Sequence, residues 1–412
     1  MRKSLHPSAF AALLIATVAA VGSAQTSSDS ASKPRALSRP FRVCAGGDVT
    51  LGTNLDPAWA KDAAKKLSDV YRMSADPDSL APQLRPFLTG ADLVLLNIEG
   101  AIGTGPFPRK CARNSTSCFA FRQPPNAAMA LRAIVDSGVT MVGNVANNHA
   151  HDAGDDGRDT TVSLLGAANI FVTGADTIAT PVVLPSGDTI GVLGFYTDQD
   201  SPDARDLAGV RRHVARAVRQ YGTVIVTMHL GAEGPSAQRT RNSREIFLKT
   251  IDRGNPVAFA DSAFAGGATL VIGHGPHVVR AAQWRGNRLA FYSLGNLLTY
   301  GPFNLKEPMN RGVVACATVD SAKSVSAPEL RSTMQLAPGV LQMDSTRRTM
   351  ALIDSLSGLD FPKTGVTVDS SGVIGRRSLL AEEPQVAATR RAVAKSTKKS
   401  APTKPAPKKK RP

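Results

Sequence analysis

Five short polar motifs, each at the end of an apolar run, constrain this 412-residue chain more than any other feature. In order they are GGDVTLG (Gly46–Gly52), LLNIEG (Leu95–Gly100), NVANNHAHDAG (Asn144–Gly154), TMHLGAEG (Thr227–Gly234) and GHGPH (Gly273–His277). The runs before them are rich in Val, Leu and Ile and read as buried strands. An α/β fold gathers its site residues where its strands end, so motifs in these places predict one shared cleft. They deliver an Asp, a Glu, Asn and several His, the side chains that bind divalent metals.

The segments between the motifs fit that fold. Strands are expected at Phe41–Ala45, Ala91–Ile98, Val139–Val142, Phe171–Val172, Ile190–Phe195, Thr223–Met228, Leu270–Ile272, Leu289–Tyr292 and Val313–Val319. Helical spacing appears at Ala60–Val70, Leu80–Leu88 (interrupted by Pro86), Ala127–Asp136, Thr160–Ala168, Val210–Tyr221, Arg244–Asp252, Pro256–Phe264 and Thr349–Ser357. Strands and helices alternate to about Tyr300 and β-like segments follow, which predicts one α/β sandwich. No internal repeat interrupts it. With 42% hydrophobic residues but only 5% aromatics, its core must be built from Val, Leu, Ile and Ala.

Each motif has a chemical reading. Asp48, just after a Gly-Gly turn, offers a hard oxygen ligand, although Gly-Asp is also common turn chemistry. Glu99 would add a second carboxylate to the cleft, and two such groups repel unless a cation or proton is shared. Asn97 lines the same turn. In NNHAHDAG, Asp152 stands three residues after His149 and can hold its imidazole in one tautomer. An isolated NNH would be explained by helix capping through Asn147 or Asn148. His229 directly follows a strand, where a lone His is more often a core residue than a ligand. His274 and His277 share a Gly/Pro-rigid turn and can reach one metal or two neighbouring ones. Five of the seven histidines fall inside motifs; His6 and His213 do not.

The order and wording of these motifs resemble the CapA family, the poly-γ-glutamate capsule-synthesis proteins, whose fold is similar to the calcineurin-like metallophosphoesterases. The resemblance covers roughly Arg42–Val319. It implies a four-layer α/β/β/α sandwich, two stacked sheets flanked by helices. It also implies Asp48, Glu99, Asn148, His229, His274 and His277 as metal ligands, with Glu99 placed like a bridging acid. His149 resembles the acid that protonates a leaving group, oriented by Asp152. Glu233, from a His-x-Gly-x-Glu motif, and Asn296, from FYSLGN (Phe291–Asn296), would line the cleft with Asn97. His151 replaces an apolar residue and reads as peripheral. In metallophosphoesterases a metal-binding His follows the first Asp by two residues; here that place is Thr50. The cofactor implied is a divalent metal, Mn, Fe or Zn, as one or two ions.

The ends bear on location. Arg2 and Lys3 precede an apolar stretch, Ala9–Val21, and Gly22-Ser23-Ala24 fits small-residue cleavage. Residues 1–24 are therefore expected to be a signal peptide; the stretch is short of the ~20 residues of a spanning anchor. Export to the periplasm or cell exterior follows, with or without membrane association. Residues 25–40 read as a linker and 41–380 as the domain. The net charge of +16 is concentrated in residues 384–412, which hold ten Lys or Arg and no acid, a composition that stays disordered. Behind an export signal the expected partner of this tail is a polyanion of the envelope (lipid headgroups, an anionic envelope polymer of the wall, or an anionic capsule), not nucleic acid; a tail with no specific partner is the plainer alternative. Capsule-synthesis membrane proteins are further expected partners. Cys111 and Cys118 are the one expected disulfide, while Cys44 and Cys316 read as buried small hydrophobes. Three functions fit: a capsule or envelope-polymer biosynthesis protein with a metal cleft, a stand-alone metal-dependent phosphoesterase or amide hydrolase, and a non-catalytic polymer-binding protein.

Overall fold

Two sheets carry the five motifs at the ends of their parallel strands. The computed structural model describes residues 36–377 apart from 53–54, 107, 109, 112–118 and 199–200. The expected signal peptide, most of the linker and the basic tail lie outside these residues. The larger sheet has eight strands. Its order is Val340–Met343, Val325–Leu336, Arg311–Val319, Phe41–Leu51, Leu93–Ile98, Thr140–Asn144 and Phe171–Thr173, with Asn296–Tyr300 also paired to Phe41–Leu51. The six-stranded sheet runs Ala282–Arg285, Arg288–Phe291, Leu270–His274, Val224–His229, Thr189–Phe195 and Thr180–Val183.

Strand alternation sorts the core into three apolar clusters. In the larger sheet Cys44, Val94 and Leu96 face helices, packing with Leu67, Leu84, Leu131 and Leu165. Their neighbours Val43, Leu93 and Leu95 point the other way, onto Ile190, Ile225, Leu270 and Leu289 of the second sheet. That sheet's outer residues Leu193, Val226 and Val271 meet Val210, Val214 and Phe259 from the helices Leu207–Tyr221 and Pro256–Gly266. The fold is thus mixed α/β. One helix departs from simple outer layers, because Arg348–Asp360 sends Ile353 into the cluster between the sheets.

The first strand, Phe41–Leu51, sets the position of the site. Along Phe41–Gly46 its neighbour is the antiparallel strand Arg311–Val319; from Asp48 onward it is the parallel strand Asn296–Tyr300. The change of partner falls at Gly47, where a Cβ would lie 1.9 Å from the carbonyl oxygen of Gly295. Only glycine permits that approach. A register shift beside Asp48 then re-aims its side chain.

Three expectations are corrected. Arg244–Asp252 is not helical: Ile246–Phe247 and Ile251–Asp252 form a hairpin. Its β-branched and aromatic residues favour strand, and the helical spacing of the apolar positions is coincidental. Cys44 and Cys316 are not free hydrophobes but a disulfide, although both are fully buried as expected. They face one another across adjacent antiparallel strands, a register invisible to a reader because 272 residues separate them. The expected Cys111–Cys118 pair involves Cys118, outside the described residues. Pro86, finally, leaves Ala81–Phe87 as a 3-10 helix after a single α-turn, Pro77–Leu80.

Crosslinking so long a loop restricts the unfolded chain strongly. Replacing both cysteines, Cys44→Ala with Cys316→Ala, is expected to lower the unfolding free energy by about 2–5 kcal/mol, read by urea denaturation without reductant. A second expectation concerns Asp344, which accepts from Arg311 Nη1 at 3.0 Å and from Thr349 N at 2.9 Å. Burial alone would raise its pKa, but hydrogen bonds from Thr346 and Thr349 and the Arg311 charge bring it to about 2. A depressed folded-state pKa contributes stability above the ordinary value near 3.8 and loses it as pH falls through about 2. Stability should therefore drop over that window. Asp344→Asn should flatten the drop and cost about 3 kcal/mol at neutral pH by leaving Arg311 poorly matched.

Candidate metal centre

Asp48 and Glu99 are buried side by side, and one amide joins them. Asn97 Nδ2 donates to Asp48 Oδ1 at 2.8 Å and to Glu99 Oε2 at 2.7 Å. Its own Oδ1 accepts from Asn144 Nδ2 at 2.9 Å and Asn147 Nδ2 at 3.2 Å. Asn97 and Asn144 end neighbouring parallel strands, so the sheet register itself fixes this ladder. Asn147 also donates to Ile98 O. It caps no helix: Gly154–Ala167 begins without a side-chain cap.

The second sheet supplies the imidazoles. His229 and His274 end paired strands in direct register. His229 Nδ1 lies 3.9 Å from Glu99 Oε2, and His274 Nδ1 lies 3.7 Å from Asp48 Oδ1. Gly275 lets the chain turn tightly here, with a φ of +110° and His229 Cδ2 only 3.1 Å from where its Cβ would be. His277 follows with a positive φ of 58°, a strained placement for a buried non-glycine residue. Its Nδ1 is 3.0 Å from both Asp48 Oδ2 and Asn296 Oδ1, and its Nε2 is 3.7 Å from Glu99 Oε1. Asn296 Nδ2 donates to Met309 O, which leaves its oxygen facing the site.

His149 comes from the loop after Thr140–Asn144. Its Nδ1 sits 2.7 Å from Asp152 Oδ2, and its Nε2 points towards Glu99 Oε1 at 3.7 Å. Asp152 is held in turn by Lys110 Nζ at 2.5 Å and by the backbone N–H of Phe121 at 2.6 Å. Phe121 stacks on Phe303 at 4.4 Å; Phe121 packs tilted against His149 and Phe303 meets His277 edge-on, and the pair walls the site. On the other side Glu233 lies 3.9 Å from His277 Nε2 and pairs with Arg253, which also donates to the Tyr196 hydroxyl.

Burial and charge divide these groups into two protonation classes. Burial, then the charge of Asp48, drive the Glu99 pKa well up. Burial would also raise Asp48, but the hydrogen bond and charge of His277 hold it well below the usual range. Burial opposes protonation of His277, and Asp48, Glu99 and Glu233 overcome it and raise the pKa to about 10. Burial lowers His229 well below its ordinary value and His274 to about 4. His149 falls to about 4 through burial and the neighbouring Lys110 cation, against the pull of Asp152.

These residues fit a divalent cation. Asp48, Glu99 and His229 each place a ligand atom within 4.8 Å of the others, close to the roughly 4 Å between ligands across one ion. Glu99 Oε1, Asn148 Oδ1, His229 Nε2 and both ring nitrogens of His274 are buried without a hydrogen-bond partner. Unpaired buried polar atoms are costly, and here they belong to expected ligands. The order of the motifs, the strand ends and the donor set agree with the family of bacterial capsule synthesis protein PGA_cap, which matches the sequence over residues 42–300. The chain belongs to this family. A comparison with curated proteins gives no match. Among solved structures, it is similar to a 5'-nucleotidase precursor from Thermus thermophilus, with 11% identity and a TM-score of 0.36. That likeness covers 79% of this chain, which spans 59% of the nucleotidase.

In this PGA_cap chain every expected ligand except Asn148 lies within 4 Å of the carboxylate pair or its amide, and Asn148 contributes an unpartnered oxygen. His151 Nδ1 lies 3.0 Å from Asp155 Oδ1. Four supporting residues escaped sequence reasoning. Asn144 and Asn147 lie in a recognised motif, but their roles depend on sheet register. Lys110 and Arg253 sit in polar segments with no motif around them. Thr50 is no ligand, because its hydroxyl donates to Glu99 O at 2.5 Å. Thr50→Val is accordingly expected to reduce stability by about 1 kcal/mol while leaving metal stoichiometry intact. His229→Ala, measured beside it by calorimetric metal titration, should weaken binding at least tenfold.

Proposed function

We propose that this chain is an exported, metal-dependent hydrolase acting in the synthesis of a capsule or related envelope polymer. The observation that carries the reading is the convergence of unpartnered buried donors on the Asp48–Glu99 pair. Membership in a capsule-synthesis family supports the setting, and poly-γ-glutamate is the polymer that the CapA resemblance implies. A divalent ion, Mn, Fe or Zn, bound by Asp48, Glu99, Asn148, His229, His274 and His277 would supply Lewis-acid polarisation of a phosphoryl or acyl oxygen.

The chain's own residues do the rest. Asn97 fixes both carboxylates and frees their outer oxygens for ligation. Asp152 accepts a hydrogen bond from the Nδ1–H of His149, which leaves Nε2 of the neutral ring to take a proton and return it to a leaving group. Lys110 keeps Asp152 ionised and in place. Phe121 and Phe303 exclude water on one side, and Arg253 holds Glu233 at the rim. Candidate substrates are phosphoesters and γ-glutamyl amides. Export is supported by the leader-like residues 1–24 and by the Cys44–Cys316 disulfide, which suits an oxidising compartment. Among the described residues no helix is long and apolar enough to cross a membrane. In this setting the basic tail would hold an anionic polymer, and capsule-synthesis membrane proteins would be partners.

A second reading, polymer binding without turnover, is favoured by Thr50, whose bond to Glu99 O closes one ligand position. Elemental analysis separates the two. The signal-free protein is expected to hold stoichiometric Mn, Fe or Zn that both Asp48→Ala and His277→Ala lose. Hydrolysis of a phosphoester or γ-glutamyl amide by the loaded parent should disappear with the metal. Absence of bound metal, even after these ions are added, would overturn the hydrolase and leave the polymer-binding role.

A further inference from the structure

The hairpin that follows the His229 motif is unlike the rest of the surface. Thr250 N donates to Phe247 O at 3.2 Å and closes a two-residue turn. Both central residues, Leu248 and Lys249, have positive φ, 47° and 66°. Such a turn favours Asn-Gly, because side chains with a bulky Cβ are disfavoured in the left-handed region. Burial within the chain does not explain the choice. Leu248 is 68% exposed, and Ile246 and Ile251 beside it are 42% and 41% exposed. Single exposed apolar residues are ordinary, but three on one hairpin, one of them held in a disfavoured conformation, are not.

Charge points to the occupant. Arg241, Arg244 and Lys249 are exposed along this segment. Its acids are matched internally: Asp252 pairs with Arg244 at 2.8 Å and Glu245 with Arg280 at 2.8 Å. Lys249 therefore leaves the tip positive. The base is rigid, since Arg253 lies over the rings of Phe247 and Tyr196 at 5.6 and 5.7 Å and pairs with Glu233 at the metal centre's rim. We propose that this hairpin docks on an anionic lipid surface, seating Leu248 with Ile246 and Ile251 among the headgroups while Lys249 meets lipid charge. An apolar tip that carries a cation is what such an interface selects. A second copy of the chain fits less well, because a two-fold contact at the tip would bring its cation against its own copy.

The test uses the full chain and sedimentation with phosphatidylcholine vesicles, with and without phosphatidylglycerol. The double variant Leu248→Asn/Lys249→Gly installs the residues this turn favours, so its thermal midpoint should not fall and its metal content should not change. Its binding to phosphatidylglycerol vesicles should be weaker by about tenfold or more. Residues 384–412 are basic enough to bind such vesicles through charge alone, so a depth-sensitive readout is needed. In Leu248→Trp, the introduced indole should shift to the blue on phosphatidylglycerol vesicles and be quenched by brominated lipid. Unquenched fluorescence, or a double variant that binds as tightly as the parent in salt high enough to screen the tail's charge, would overturn the proposal. So would gel filtration showing a dimer that the double variant loses, since a second copy would then be the occupant.

Discussion

The site depends on a single amide. Asp48 and Glu99 are buried carboxylates with almost no access to water, and bringing two such groups together is unfavourable unless something neutral or positive stands between them. Asn97 Nδ2 does so at 2.8 and 2.7 Å. Because Asn144 and Asn147 both donate to its oxygen, the amide cannot flip without losing four hydrogen bonds. The orientation of both carboxylates thus rests on the register of two adjacent strands, and the ligand set is organised before any cation arrives. Preorganisation of this kind removes the reorganisation that a flexible acid pair would undergo on binding.

A second constraint is geometric. The first strand exchanges an antiparallel neighbour for a parallel one at Gly47, and the opened space is where Asp48 turns inward. The Gly47–Gly295 approach joins the first motif to the FYSLGN segment (Phe291–Asn296), which is therefore needed for backbone packing as well as for Asn296. Imidazoles then enter from the other sheet, on strands whose paired ends set His229 beside His274. Each sheet supplies half of the centre: carboxylates and amides from one, imidazoles from the other. Neither half could bind a cation well alone, which ties the site to the contact between the sheets.

This division explains what could be read from the sequence. Strand ends were legible because apolar runs stop abruptly at Gly, Asn or His, and those stops coincide with the buried polar residues of the cleft. Asp48, Glu99, His229, His274 and His277 all stood in such places. Pairings distant in sequence were not legible. The Cys44–Cys316 disulfide depends on which strand lies beside the first, and Lys110 reaches Asp152 through a loop with no periodic signal. The hairpin at Ile246–Asp252 failed for a local reason. Apolar positions over so short a stretch match both helix and strand spacing, and Leu248-Lys249 does not advertise a turn. Sequence reasoning therefore broke down where residues are chosen against local preference, which is where structure most often serves a purpose beyond folding.

The proton inventory of the centre connects its electrostatics to its chemistry. Without a cation, the excess negative charge is balanced by protons: one drawn onto His277, and another favoured on Glu99 by burial and by Asp48. His229 and His274 stay neutral because burial dominates, so their lone pairs remain free to ligate. Cation binding must displace the protons on His277 and Glu99, since a ligand nitrogen or oxygen cannot hold both. Metal affinity is thereby linked to pH and rises as those protons become easier to release. His149 stands outside this exchange. Asp152 and Lys110 fix its ring independently of the carboxylate pair, so its Nε2 can gain and lose a proton while the ligand set stays intact. The contacts that hold the His149 ring are thus separate from those that hold the carboxylate pair, although both lie in one dry cleft.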